Sequence, residues 1–298
     1  MEAAVERRAD VIEATEAWGR PAGRSRRRVT RVSLYVVLTI MGVFAALPFV
    51  WMILASFKTE AEIRQIPPTF WPSEATLDNY RTIFQDPELP LLTFYRNSAF
   101  VAVMNVIATL FTGSLLGYIF AKFEFRFRQP LFWFVLATMM IPTQVTMLPA
   151  YLVLLQIHLL NNLWGLIVPS FIDAFAVFVM RQFILSIPND EIYSARVDGA
   201  SEWRIFRSVV IPQLKAPLAT LGMLTFMFHW NEYLWPLIVL TEQSKRTLPI
   251  ILTWYSDQHS AQMNLVMAAS VLIVVPVLVI FALSQKWIVR GLTLTGGR

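Results

Sequence analysis

The segment IPNDEIYSARVDGASEW, residues 187–203, is a polar interruption between two long apolar stretches. Pro188 sets a turn, Asn189 is the predicted N-cap, and the two carboxylates that follow it complement the positive end of a helix dipole. Gly199 can adopt a left-handed conformation without steric cost, so the chain can turn there. The segment therefore predicts a helix, a glycine bend and a second helix.

The second helix is predicted to be amphipathic. Its apolar stripe, spaced by three and four residues, consists of Trp203, Phe206, Val210 and Leu214. Arg204 and Arg207 fall off this stripe. We call residues 187–212 the elbow and expect it to lie at the edge of a membrane. From the local pattern alone, an ordinary amphipathic surface loop is an equally good interpretation.

Composition indicates a membrane protein. Of the 298 residues, 56% are hydrophobic and only 15% are charged, and the mean hydropathy is +0.54. Such values are typical of a chain whose exterior faces lipid. Cysteine is absent, which excludes disulfides and thiolate metal sites. The net charge of +5 does not point to nucleic acid, because the basic residues cluster on alternate loops.

Six apolar stretches are long enough to cross a bilayer, which takes about 20 helical residues. The predicted spans are 32–54, 94–121, a third that starts at Leu131, 163–183, 216–240 and 263–288. The third is interrupted at Ile141-Pro142, which predicts a kinked, protein-facing helix. The fold class is therefore all-α, a polytopic membrane protein with six transmembrane helices. Residues 1–31 are predicted to be a disordered tail, 32–288 the membrane domain, and 289–298 a short tail.

The distribution of basic residues predicts the orientation. Most of the 25 Lys and Arg residues lie in the N-terminal tail, after the second span, around the elbow and in the C-terminal tail. Positive charge marks the cytoplasmic side. We therefore expect both termini and the elbow to be cytoplasmic.

Three elbow residues fall at the intervals of a known motif. Ala195, Gly199 and Pro212 match E-A-A-x-x-x-G, nine residues, then I-x-L-P, with Tyr193 in place of its Glu and Ser194 in place of its first Ala. In this respect the elbow resembles the cytoplasmic loop of inner-membrane permeases of ATP-binding-cassette importers. The segment WNEYLWPL, residues 230–237, is similar to the carbohydrate branch of that family. The resemblance covers Val32 to the C-terminus and is nearest to the second permease subunit of maltose-type importers.

This resemblance implies a type I importer permease fold in a bacterial-type inner membrane. It also implies a second permease subunit as heterodimer partner, two ATPase subunits, and an extracellular or periplasmic sugar-binding protein. The residues that it implies for ATPase coupling are Asp190, Glu191, Tyr193, Ser194, Ala195, Asp198, Gly199 and Pro212. Tyr193 removes one anion from the family's contact, and Asp190 and Glu191 are the residues positioned to compensate.

The chain carries no signature of its own for ATP hydrolysis. The nearest approach to G-x-x-x-x-G-K-[ST] is Gly291 to Gly296, but Gly297 and Arg298 follow where Lys and Ser or Thr are required. We therefore assign ATP and Mg²⁺ to the partner ATPase and expect no cofactor and no enzyme activity here. The three histidines, His158, His229 and His259, lie far apart in sequence, so we expect no metal site.

Polar residues inside the spans are the candidates for a substrate path. They are Asn105, Gln144, Asp173, His229, Asn231 and Glu232. Intramembrane polar groups are costly in lipid and commonly face a cavity. A sugar needs hydrogen-bond partners and flat apolar faces, and Trp230, Tyr233 and Trp235 supply the latter. The alternative is structural, because polar side chains also join helices and aromatic residues form interfacial belts.

The resulting hypothesis is a permease subunit of an ATP-driven importer for a sugar, oligosaccharide or polyol. The alternative is a secondary transporter driven by an ion gradient, with Asp173 or Glu232 as proton carrier. A membrane enzyme would require a clustered acid, base or metal set, which the sequence does not suggest.

Overall fold

The computed structural model describes residues 24–257 and 262–295, and every regular element in those ranges is helical. The α-helices are α1 (Arg24–Ala55), α2 (Glu60–Ile63), α3 (Asp78–Gln85), α4 (Leu91–Lys122), α5 (Arg128–Thr138), α6 (Thr143–Gln156), α7 (Trp164–Ile167), α8 (Ala174–Leu185), α9 (Asn189–Val197), α10 (Glu202–Ile205), α11 (Ile211–Gln213), α12 (Lys215–Asn231), α13 (Leu234–Val239), α14 (Ile251–Asp257) and α15 (Met263–Thr295). A single π-helical turn, Phe206–Val210, joins α10 to α11. The predicted all-α class is confirmed.

Straight and bent helices together give up to six membrane crossings in the described residues. Three helical stretches are long and apolar enough to cross alone: Arg31–Ala55 within α1, α4, and Met263–Ala282 within α15. Three further crossings are bent pairs: α5 with α6 at 98°, Trp164–Ser170 with α8 at 47°, and Glu202–Gln213 with α12 at 81°.

The positions of the breaks differ in part from prediction. The interruption at Ile141-Pro142 is confirmed, since α5 ends at Thr138 and α6 begins at Thr143. Its predicted burial against protein is wrong for this chain, because among the α5 and α6 side chains only Phe132 and Leu154 are buried. The fourth and fifth spans are not continuous as predicted.

The chain divides into two compact units, residues 1–54 and 55–298. In the first unit, α1 begins at Arg24, inside the segment predicted to be a disordered tail. Its apolar side chains from Val32 to Ile53 are largely exposed, as expected for a helix surrounded by lipid. In the second unit, α15 continues to Thr295, so the predicted C-terminal tail starts within a helix.

Close packing around α4 organises the second unit. α4 packs most extensively against α8 and then against α12, and α12 also packs on α15. The contact with α8 depends on small residues, because a Cβ at Gly117 would lie 2.9 Å from the Arg181 backbone nitrogen. At one end of α4 a buried cluster holds the elbow in place. Its members include Tyr118, Met180, Ile184, Ile192, Phe206, Val210 and Leu214.

The polar segment between α1 and α4 is folded. Lys58 is buried and its Nζ donates to Thr69 Oγ1 at 2.8 Å. Asn79 Nδ2 donates to the carbonyl oxygens of Ser56 and Lys58, each at 2.8 Å. Asn264 Nδ2, at the start of α15, donates to Asn79 Oδ1 at 2.8 Å. These contacts fix the segment against the first turn of α15.

Candidate functional site

The first helix of the elbow is α9, which begins directly after Pro188. Asp190 and Glu191 lie in its first turn, as predicted. The predicted N-cap is wrong: Asn189 is already helical, and Pro188 occupies the cap position without a side-chain hydrogen bond. Asn189 Oδ1 instead accepts a hydrogen bond of 2.7 Å from Lys122 Nζ at the end of α4.

Gly199 makes the predicted bend with φ of +78°. Its N–H donates to the Arg196 carbonyl at 3.0 Å, and the Ala200 N–H donates to the Ala195 carbonyl at 3.0 Å. These bonds satisfy carbonyl groups at the end of α9 that have no partner within the helix. Ser201 then caps α10, its Oγ accepting from the Arg204 N–H at 3.4 Å.

The second helix of the elbow buries most of its predicted stripe. Phe206, Val210 and Leu214 are buried, and so is Ile205, which the sequence argument omitted. Trp203 is the exception, with 54% of its surface exposed. Its ring lies against Phe206, with centroids 5.5 Å apart.

One face of α9 is exposed on the surface of the chain. Ile192 is the buried anchor of this helix, and Ala195 packs partly against the same cluster. The exposed residues of α9 and the bend are Asn189, Asp190, Glu191, Tyr193, Ser194, Val197, Asp198 and Gly199. Tyr193 and Val197 are 55% and 87% exposed and are four residues apart, so they share a face. Val197 was missed by the sequence analysis, although an apolar pair at this spacing on a polar helix is a usable signal.

A small polar network ties α9 to its neighbours. Arg196 Nε donates to Glu202 Oε1 at 2.7 Å, and the Tyr118 hydroxyl on α4 donates to Glu202 Oε2 at 2.8 Å. The hydrogen bond to Glu202 is the main reason that the pKa of Arg196 lies above its ordinary value. Arg196 therefore stays charged at any physiological pH. These three residues were not predicted, because their partners are distant in sequence or separated by the bend.

Pro212 is exposed and lies at the start of α11. The adjacent Gln213 Nε2 donates to Glu191 Oε2 at 2.7 Å. The two ends of the elbow are thus joined directly by side chains.

The six residues predicted for the substrate path occupy different settings. His229 and Glu232 come together, with Nδ1 and Oε2 3.4 Å apart at the point where α12 ends. Asn231 is exposed, and its Nδ2 donates to the Met227 carbonyl at 2.8 Å within α12. Within the part of the chain that the structure describes, no other pair of the six is joined by a hydrogen bond or ion pair.

Asp173 has a local structural role. Its Oδ1 accepts from the Phe175 N–H at 2.8 Å and caps α8. Asp173 is therefore accounted for by helix capping.

Asn105 is fully buried in α4, where its Nδ2 donates to the Val101 carbonyl and its Oδ1 has no partner. Gln144 is exposed in the first turn of α6.

Among residues 24–257 and 262–295, no three His, Cys, Asp or Glu side chains lie close enough together to hold a metal ion. His259 lies outside the described residues.

Comparison with known proteins agrees with this architecture. A family model described as binding-protein-dependent transport system inner membrane component matches residues 113–294. The chain is 33% identical over 276 residues to the arabinooligosaccharides transport system permease protein AraQ of Halalkalibacterium halodurans, covering 91% of this chain and 99% of that one. It is 31% identical over 267 residues to the lactose transport system permease protein LacG of Rhizobium radiobacter, covering 90% and 96%.

A solved structure shows the same fold. A bacterial ABC transporter involved in the import of the acidic polysaccharide alginate contains a chain that superposes with a TM-score of 0.77 at 25% identity, covering 89% of this chain and 99% of that one. The fold and the elbow together define a membrane transport permease. The chain belongs to the family of binding-protein-dependent transport system inner membrane components.

Proposed function

We propose that this chain is one permease subunit of an ATP-driven importer for a carbohydrate, and that α9 is the helix on which a separate ATPase docks. The observation that carries the proposal is the exposed face of α9. A helix that keeps Tyr193 and Val197 in solvent beside Asp190, Glu191 and Asp198 offers an apolar centre with an acidic rim. Such a composition suits a protein contact.

The elbow is also rigid enough to transmit the movement of a docked partner to the helices on either side of it. Ile192 anchors α9 in a buried cluster, the Gly199 bend is closed by backbone hydrogen bonds, and Gln213 joins its far end to Glu191. A docked partner that moves α9 would therefore move the helices on either side as rigid bodies. We assign the coupling role to Asp190, Glu191, Tyr193, Ser194, Asp198 and Gly199 on the exposed surface, with Ala195 and Pro212 holding the shape.

The assembly we propose contains a second permease, two ATPase subunits and an external binding protein. Support comes from the family, whose description names binding-protein-dependent transport systems. We assign ATP and Mg²⁺ to the partner ATPase, an assignment supported by the lack of a G-x-x-x-x-G-K-[ST] sequence in the given chain. Both termini and the elbow are assigned to the cytoplasm, following the distribution of basic residues.

The substrate we propose is a sugar, an oligosaccharide or a polyol. Relatives named for arabinooligosaccharides and lactose support this class. Within the chain, the strongest candidates for the path are His229 and Glu232. They meet where α12 breaks before α13, and broken helices in membranes are tolerated where they line a cavity or are covered by protein. Asn105, with a buried oxygen that lacks a partner, is the next candidate.

The alternative of a secondary transporter gains no support. Of its two proposed proton carriers, Asp173 is engaged as a helix cap and Glu232 lies against His229, and the family is that of binding-protein-dependent systems.

The test is co-purification of the tagged chain from its native membrane in mild detergent. Gly199→Asp and Val197→Asp both place a carboxylate on the exposed face, and Val197 is so exposed that its replacement leaves the core unchanged. Ser208→Asp, at an exposed position of the second elbow helix, is the matched control. We expect an ATPase and a second permease to accompany the wild type and the control, and the ATPase alone to be lost from the two α9 variants. A chain that purifies alone or as a homo-oligomer would contradict the proposal.

A further inference from the structure

α4 is a long helix without a break. It runs for 32 residues from Leu91 to Lys122, which corresponds to about 48 Å at ~1.5 Å per residue. The segments that pack on its two sides, α8 and α12, each belong to bent pairs. A bent helix can absorb movement at its break, whereas a straight one carries movement from end to end.

One end of α4 holds the entry of the elbow. Lys122 Nζ donates to the Ile187 carbonyl at 2.6 Å and to Asn189 Oδ1 at 2.7 Å. These two acceptors lie on either side of Pro188, which occupies the cap position of α9. The entry to the coupling helix is therefore attached to the last residue of α4.

The same end of α4 also holds the exit of α9. Tyr118 lies four residues before Lys122, so the two share a helix face. Its hydroxyl donates to Glu202 Oε2 at 2.8 Å, beyond the Gly199 bend. Glu202 Oε1 accepts from Arg196 in the last turn of α9 at 2.7 Å. α9 is thus bracketed by two side chains of one helix.

The other end of α4 holds a loop on the opposite side of the protein. Asn97 is buried, and its Nδ2 donates to the carbonyl oxygens of Ser244 and Arg246, each at 3.0 Å. Ser98 Oγ accepts from the Leu248 N–H at 2.7 Å. These acceptors and donors lie in the loop between α13 and α14, residues 240–250.

We infer that α4 is a rigid strut that transmits displacement of the coupling helix to the α13–α14 loop, with Lys122, Tyr118 and Asn97 as the positioning residues at its two ends. The inference rests on the coupling function proposed above. It adds a route that the covalent connections of the elbow do not supply, because those lead only into the bent pairs on either side of it.

The experiment uses a single cysteine in a chain that has none of its own. Thr241→Cys, at an exposed position in the loop, is labelled with a maleimide in the purified complex, with and without ATP, and the label is quantified on the gel band of this chain. The test variants are Tyr118→Phe combined with Lys122→Met at one end, and Asn97→Ala at the other. Ser114→Ala is the matched control, because Ser114 is buried in α4 and its reported hydrogen bonds stay within that helix.

We expect the ATP-dependent change in labelling rate to fall about fivefold or more in both test variants, the lower end of typical coupling between sites. The control keeps the wild-type change. Transport per ATP hydrolysed falls in the same variants, a ratio that simple destabilisation would leave unaltered. Tyr118→Phe alone, which removes one oxygen and keeps the ring, gives a smaller effect in the same direction and guards against misfolding.

Two outcomes distinguish the strut from the coupling function on which it rests. If the wild type responds to ATP and both test variants respond equally while the ATPase remains bound, the strut is refuted and the coupling function stands. If the wild-type loop does not respond although the ATPase co-purifies, the strut is likewise refuted, whereas a wild type that purifies without an ATPase overturns the coupling function itself.

Discussion

Gln213 and Glu191 are joined by a hydrogen bond of 2.7 Å between Nε2 and Oε2, which closes the elbow on itself. The two residues lie 22 positions apart, on either side of the Gly199 bend. One oxygen of Glu191 is therefore engaged within the loop, and its other oxygen remains as an acceptor for a docked partner.

Removing the donor should loosen α9. Gln213→Met keeps the side-chain length and loses the hydrogen bond. A hydrogen bond to a charged group contributes roughly 1.5 kcal/mol, and less where it is exposed as here, so we expect amide exchange in residues 189–197 to become about five times faster. Hydrogen–deuterium exchange followed by mass spectrometry measures this directly. Unchanged exchange in α9 would show that the contact does not hold the elbow together.

The Gly199 bend depends on backbone conformation and not on space. No heavy atom lies within 4 Å of a Cβ built at Gly199, but its φ is +78°. Gly199→Ala should therefore cost about 1–2 kcal/mol through left-handed strain alone. Gly42→Ala is the control, because Gly42 has equally open surroundings and sits inside α1. Thermal unfolding in detergent should be lowered in the first variant only, and equal midpoints would contradict the argument.

Gly117 is limited by space instead. A Cβ there would lie 2.9 Å from both the Arg181 nitrogen and Met180 Cβ, so α4 and α8 would have to separate. We expect Gly117→Ala to destabilise the protein by about 1–3 kcal/mol, the usual range for overpacking. Urea titration monitored by tryptophan fluorescence gives the value. Gly222→Ala, whose nearest neighbour is the flexible end of Leu110 at 3.3 Å, should cost clearly less.

Asp173 should be replaceable by asparagine without loss of uptake. Its Oδ1 caps α8, and an amide oxygen can accept the same hydrogen bonds. Asp173→Ala, which removes the cap, should lower stability by about 1 kcal/mol. Substrate uptake in membrane vesicles separates the two roles. If Asp173→Asn abolishes uptake while the protein remains folded, the charge itself is required.

The segment between α1 and α4 should loosen in acid. Glu62 accepts from the Ser73 N–H at 2.8 Å and from Thr69 Oγ1 at 2.9 Å, and the Ser73 backbone bond is the main cause that lowers its pKa below 4.5. A lowered pKa in the folded state gives stability that is present above pH 4.5 and is lost as the pH falls through the lower value. A spin label at Glu74→Cys should become more mobile in that window. In Glu62→Gln, which does not titrate, the label should show no acid step.

The sequence predicted the general architecture well, because hydropathy and the helix-breaking residues proline and glycine decide it. Span length, the proline at 142 and the Gly199 bend each follow from local rules about bilayers and backbone conformation. The spacing of Ala195, Gly199 and Pro212 carried the resemblance that implied a coupling role for the elbow, and that role stays a prediction. What local rules do not contain is the choice of partner for each polar side chain.

The missed residues illustrate this limit. Asn189 has the composition of an N-cap, yet Lys122, 67 positions away, takes its side-chain oxygen. Asp173 looked like a charge in a membrane span, but the break before α8 made it a cap. The break at Glu232 was not predicted either, because WNEYLWPL is apolar enough to continue a helix and its single proline comes only at 236. In each case tertiary packing decided between local alternatives.

The unbroken and the bent helices differ in what they need to be stable in a bilayer. Arg31–Ala55, α4 and Met263–Ala282 can each enter the bilayer alone, because a long apolar helix satisfies its own backbone. The three bent pairs all lie between α4 and α15 in the chain, and they expose backbone groups at their breaks. They need neighbouring helices before they are stable in lipid. Two of these pairs find that support on α4, against which α8 and α12 pack, so the long unbroken helix makes its broken neighbours tolerable in the bilayer.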